Sequence, residues 1–182
     1  MSAIPETTTT WNIDRSHASL EFSVRHLMIA TVKGRLSDVS GRVLSDDSDL
    51  TTARVEVTVG VNSIDTREAQ RDAHLRSADF FDVEKYPTLT FRSTRVTDVS
   101  NGTFKLVGDL TIHGVTREVG LDVTAEGRGK DPWGNERAGF SATTKIKRSD
   151  FGLVWNQVLE TGGVAVGDEV KIAIDLELVR QA

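Results

Sequence analysis

The chain has 182 residues, of which 38% are hydrophobic and 27% charged, with a formal net charge of -5 and no cysteine. That balance excludes a disordered polypeptide, no apolar run approaches the roughly 20 residues of a bilayer-crossing helix, and no basic excess is left to neutralise phosphates, so nucleic acid is not an expected partner. Without cysteine there is no disulfide, thiolate metal site or cysteine nucleophile.

Residues 1–10 carry four consecutive threonines and no periodicity, which reads as a flexible lead-in to a single domain over 11–182. The segment lacks the basic and apolar regions of a secretory signal, so the cytoplasm is the expected location. Trp11–Asp14 reads as a short strand. In Ala18–Arg25 the residues Leu20, Phe22 and Val24 alternate with polar ones, the mark of a half-buried strand. His26–Ala30 (HLMIA) is too apolar for a solvent loop and is expected to pack under a neighbour or line an opening. An extended stretch follows from Thr31 to Leu44, with Gly34 and Gly41 as places to bend. Val55, Val57, Val59 and Val61 then share one face of a strand.

Asp65–Arg76 reads as the one helix, with Asp65 and Glu68 at capping spacing. It leads into an aromatic corner, Asp72–Phe91 (DAHLRSADFFDVEKYPTLTF), and Pro87 closes the insertion. The runs 88–99 and 103–112 are joined by Asn101-Gly102, which reads as a type I′ hairpin turn, and His113-Gly114 repeats the device before 115–126. After the turn DPWGN, residues 137–147 place Ala138, Phe140, Ala142, Thr144 and Ile146 in one phase. Residues 148–167 are irregular. Val170, Ile172, Ile174, Leu176 and Leu178 close the chain in clean alternation.

About eight long period-2 strands with hairpin connections favour a closed antiparallel barrel, because closure removes exposed edges; a sandwich is the alternative. Chemistry is sparse. The four histidines, His17, His26, His74 and His113, show no ligand spacing, and no nucleophile elbow or phosphate loop is present, so neither a metal nor catalysis is expected. Asp79 reads as a cap of a short helical turn and Asp82 as solvated.

An eight-stranded barrel either fills with side chains or encloses one small ligand. The apolar phases here are rich in valine and small residues, including Ala138, Ala142 and, on a slipped phase, Ala173. They leave two outcomes open: a cavity, or a space plugged by loops and Trp155. A hollow interior would be about 25 Å deep, from ten residues per strand at about 3.3 Å tilted by about 40°, and would suit a long apolar chain.

Four ordered blocks, IDRSHASLEFSVRHL, DAHLRSADFFDVEKYPTLTF, GDLTIHGVTREVGLDV and GDEVKIAIDLELV, resemble the YceI-like family of polyisoprenoid-binding, lipocalin-like proteins over about residues 11–180. The resemblance implies an all-β fold, an extended eight-stranded antiparallel barrel with one helical insertion. It also implies a non-catalytic role in carrying or sequestering a polyisoprenoid or similar lipid, with no cofactor beyond that ligand. Family members are often exported and some are induced by stress. Family fold and strand phase together nominate Leu20, Phe22, Val24, Leu27 and Met28 as ligand-facing, then Phe80, Phe81, Leu89 and Phe91, then Phe140, Ile146 and Trp155. The expected partners are that lipid and a second copy in a homodimer; the alternatives are a filled barrel serving as a structural or protein-interaction module, or an enzyme using Asp79, His26 or neighbours.

Overall fold

The computed structural model of the chain describes residues 8–46, 49–160 and 162–181. Its strands are β1 (Thr8–His26), β2 (Ala30–Leu36), β3 (Val39–Asp46), β4 (Asp49–Gly60) and β5 (Ile64–Asp65). After helix α1 (Ala69–Arg76) come β6 (Thr88–Ser100), β7 (Thr103–Ile112), β8 (Val115–Lys130), β9 (Glu136–Lys147) and β10 (Val166–Arg180). All pairings are antiparallel. The sheet runs β10-β9-β8-β7-β6-β4-β3-β1-β2-β5, and β10 pairs back onto β1. The eight strands from β1 through β3, β4 and β6 to β10 therefore close a barrel, while β2 and β5 lie outside the ring.

β1 makes this possible because it serves two neighbours along one edge. Thr8–Asn12 pairs with β3 and Leu20–His26 pairs with β2. Its other edge follows β10, interrupted where residues 14–17 bulge between the pairs Ile13↔Leu178 and Ala18↔Leu176. Such a bulge adds bend and twist, which a closing strand needs. The strand begins at Thr8, so residues 8–10 of the expected lead-in are paired; residues 1–7 lie outside the described part.

Several local expectations shift. The extended stretch breaks at Ser37–Asp38, not at its glycines. The helix starts at Ala69, four residues late, with Glu68 as its N-cap, because Ile64–Asp65 is used to pair with β2. Asp65 instead accepts the Arg67 N–H at 2.8 Å, and buried Asp72 accepts Thr66 N–H at 2.9 Å. Of the Asn101-Gly102 pair only Gly102 has a positive φ, so that turn is not type I′; the second left-handed residue is Asp98, at a bulge. His113 and Gly114, at φ 55° and 72°, do form the expected turn.

The two ends of the barrel differ. At one end the described connections β6–β7 and β8–β9 are tight turns. At the other stand the long segments 61–87 and 148–165, which meet where Trp155 packs edge-on to His74 (4.7 Å between centroids) and tilted against Phe80 (5.3 Å). This second end is roofed; among the described residues no comparable segment covers the first.

Candidate functional site: the barrel lumen

The barrel is hollow. Its lumen has a volume of about 500 Å³ and an almost wholly hydrocarbon lining, which is in the usual size range for a small-molecule site. Period-2 alternation puts Leu20, Phe22 and Val24 of β1 inward. Val55, Val57 and Val59 of β4 face them, with Leu106 and Leu110 of β7, Leu121 and Val123 of β8, and Ile172 and Ile174 of β10 completing the wall. Val61, the fourth valine of that run, is buried in a 3₁₀ turn outside the lining. Ala173 is exposed on the outer face.

Two placements keep the space open. Phe22 stands opposite Gly34 on β2, and a Cβ at position 34 would collide with its ring. The Phe91 ring lies against Gly108 of β7 in the same way, 2.7 Å from where a Cβ would stand. Each glycine lets a ring lie flat along the wall. Phe104 and Phe140 make an edge-on pair with centroids 6.4 Å apart, also in the lining.

Among the described lining residues the charged groups are confined to the lumen ends, while Ser141 and Thr144 of β9 are polar lining residues between them, the Thr144 hydroxyl donating to the Gly120 carbonyl at 2.9 Å. At the turn end, Trp11, Ser45, Asp46 and Arg128 line the space, and the Arg128 guanidinium sits 4.9 Å from the Trp11 ring centre. At the roofed end, Leu75, Phe80, Phe81 and Leu153 close it together with Arg148. Arg148 is buried and donates to the carbonyls of Gly167 (2.8 Å), Leu153 (2.7 Å), Trp155 (2.9 Å) and Val166 (3.2 Å). Burial pulls its pKa down, but four carbonyl acceptors hold the guanidinium in place, so it ties the 148–167 segment together.

Of the residues nominated from the sequence, Leu20, Phe22, Val24, Phe80, Phe81, Leu89, Phe91, Phe140 and Ile146 line the lumen. Leu27, Met28 and Trp155 do not. Leu27 and Met28 occupy the β1–β2 turn at φ 52° and 61°, and both are exposed; the apolar HLMIA run does not line the lumen and stays largely exposed, although Met28 Sδ lies against Gly163. Trp155 points at His74 and Phe80 and so locks the roof without plugging the barrel. Asp79 does not cap a turn; its carboxylate accepts from Nε2 of His74 at 2.9 Å.

Sequence reasoning missed a charged cluster on the outside. Arg137 donates to Asp14 (2.8 Å), Asp131 (2.8 Å) and Glu177 (3.0 Å), bridging positions up to 123 apart in the chain. Its guanidinium holds Asp14 well below the usual carboxylate range, with help from His17 and Ser16, and lowers Asp131 to about 2. His17 is pushed up by Asp14 and then by Glu177. Asp14, His17 and Glu177 come close enough to share a cation, but Arg137 already supplies the positive charge to both carboxylates. Ser16 Oγ (3.2 Å) and Asp14 (2.9 Å) both meet Nδ1 of His17; a proton relay needs them on opposite ring nitrogens.

A closed antiparallel barrel with one helical insertion and an apolar, chain-length lumen defines a lipocalin-like class of fold. The chain belongs to the YceI-like family, whose domain matches residues 11–178. It is 44% identical to a UPF0312 protein of Vibrio cholerae over 138 residues, 76% of this chain and 73% of that protein. Burkholderia cenocepacia BcnA has the same fold, with a TM-score of 0.79, 24% identity and coverage of 91% of this chain and 98% of that one. A polyisoprenoid-binding domain from Saccharophagus degradans, implicated in plant cell wall breakdown, superposes with a TM-score of 0.70 at 14% identity, over 94% of this chain and 98% of that one.

Proposed function

We propose that the protein is a non-catalytic carrier or sequestering protein that holds a polyisoprenoid or similar long apolar lipid in its lumen. The observation that carries this reading is the lumen itself, about 500 Å³ walled by valine, leucine, isoleucine and flattened phenylalanine rings. Each CH₂ of a ligand moved there from water contributes about 0.8 kcal/mol, so a five-carbon isoprene unit contributes up to about 4 kcal/mol before ordering costs. Membership of the YceI-like family supports the same reading, as does the polyisoprenoid-binding domain that shares the fold.

The distribution of titratable groups favours binding over catalysis. Among the described lining residues these are Asp46 and Arg128 at one end and Arg148 at the other. General acid–base work needs such groups to converge within about 3 Å of one reacting atom, and the length of the lumen separates Arg148 from the other two.

Uptake of a fluorescent polyene fatty acid, and its displacement by prenols of increasing length, tests the proposal. Ala142 faces the lumen opposite Ile174 and Val123. Ala142→Phe should weaken uptake roughly tenfold, the effect of excluding about two CH₂ groups. Equal uptake by Ala142→Phe, or displacement that ignores prenol length, would count against it.

A further inference from the structure

Of the seven exposed large hydrophobic side chains among the described residues, Val99 and Trp133 lie at the turn end and the other five at the roofed end, on two loops that form one unit. In the β1–β2 turn, Leu27, Met28 and Ile29 are 38%, 59% and 80% exposed. In the segment after β9, Val154 is 67% and Val158 80% exposed. The loops are joined by the Leu27 N–H to the Ala165 carbonyl at 2.8 Å, and Met28 Sδ packs so closely on Gly163 that no Cβ would fit there. Val158 belongs to the same small hairpin, paired with Val164.

The turn is poorly suited to water on two independent grounds. Its two central residues, Leu27 and Met28, both take the left-handed conformation that asparagine and glycine adopt with least strain. The side chains thereby displayed are large hydrocarbons. An ordinary hairpin tip would avoid both features, so their coincidence points to an apolar medium around the tip.

Area and charge select the medium. The exposed side chains sit on the β1–β2 turn and on the segment that carries the Val158–Val164 bridge. A stable pairing with a second copy takes about 800 Å² from each partner, more than five partly exposed side chains on two tips present. Fixed charges across 25–33 and 148–169 are Arg25, Lys33 and Arg148 against Asp150, Glu160, Asp168 and Glu169, so there is no basic excess for adsorption to anionic headgroups. The patch is also continuous with the lumen wall: Val166 and Leu153 line the lumen, and their chain neighbours Ala165 and Val154 belong to the docking loops.

We propose that the 27–29 turn, together with Val154 and Val158 of the segment after β9, forms a bilayer-docking face that inserts by apolar contact and brings the roofed end of the lumen to the membrane surface. Its purpose rests on the lipid-carrier reading, but the docking is measurable without cargo. The chain has no cysteine, so Ile29→Cys can carry a single environment-sensitive fluorophore, with Val99→Cys at the turn end as control. On adding vesicles of phosphatidylcholine alone, the label at 29 should shift to the blue and brighten while that at 99 does not. The shift should persist in about 0.5 M NaCl, where exposed charges are screened. Flotation of the unlabelled protein with the same vesicles should fall at least about tenfold in Met28→Ser/Ile29→Ser, the loss expected when two apolar anchors are removed, with polyene uptake unchanged.

No shift at position 29, equal shifts at 29 and 99, or binding that requires anionic lipid and is lost in salt would overturn the proposal. A concentration-dependent shift at 29 without vesicles would overturn it in favour of a dimer. Polyene uptake without vesicle binding refutes the docking face alone; vesicle binding without uptake refutes the carrier reading.

Discussion

Phe22 and Gly34 face each other across the β1–β2 pair, and the ring of one occupies the space where the other would carry a side chain. Gly108 serves Phe91 in the same way from β7, although there the Arg92 carbonyl is 2.5 Å and the Ser93 Cα 2.7 Å from the position of a Cβ. The two glycines therefore have different tolerances. Gly34→Ala meets only the far end of a side chain and should fold, with the Phe22 ring swung inward and polyene uptake reduced several-fold. Gly108→Ala meets backbone and should lose about 1–3 kcal/mol of stability, the usual range for overpacking. Urea unfolding of both variants beside the uptake assay separates the two effects.

The roof should control release more than capacity. Phe80 is buried, lines the lumen and packs against both Trp155 and His74. Trp155→Ala removes the lock without touching the lumen wall, so stopped-flow release of the polyene should accelerate while the amount bound at saturation stays the same. Phe80→Ala should change both the release rate and the amount bound, with a stability loss of about 3–5 kcal/mol. A Trp155→Ala protein that releases at the wild-type rate would mean that cargo leaves by the turn end.

Arg148→Met should leave four carbonyls without their donor at a buried site. Hydrogen bonds from a charged group contribute about 1.5–3 kcal/mol each at most, and their losses are not additive. A loss of about 3 kcal/mol is expected, with limited proteolysis cutting first within residues 152–165.

The Arg137 cluster predicts an acid limb. Asp131, lowered from 3.8 to about 2 by the Arg137 hydrogen bond, and Asp14, lowered further in the same direction, contribute stability that is complete above about pH 4. It is lost as pH falls through the folded-state values. His17 acts oppositely: its raised pKa gives stability that is present below its unfolded value and lost as pH rises through the folded one. Melting temperature followed from pH 7 to pH 2 should therefore drop more for wild type than for Arg137→Gln below pH 4, and the two curves should converge.

Strand phase was legible in the sequence because alternation is local: Leu20, Phe22 and Val24, and Val55, Val57 and Val59, face inward as their period requires. Whether the barrel is hollow was not legible, since it depends on register between strands. Only the pairing reveals that Phe22 has a glycine opposite it. The same non-locality hid Arg137, whose three acids come from residues 14, 131 and 177. HLMIA misled for a different reason: a turn with Leu27 and Met28 at positive φ leaves Met28 and Ile29 exposed instead of burying them in the barrel. Trp155 looked like a plug because its size suits one, but the fold gives it a partner in His74.

Native mass spectrometry of the protein purified without detergent, followed by solvent extraction of the same sample, tests the hollow-barrel account most directly. The account predicts one class of long apolar molecule, bound one per chain, lost on denaturation and depleted in Ala142→Phe. A bare wild-type chain that also fails to take up added prenol would contradict it.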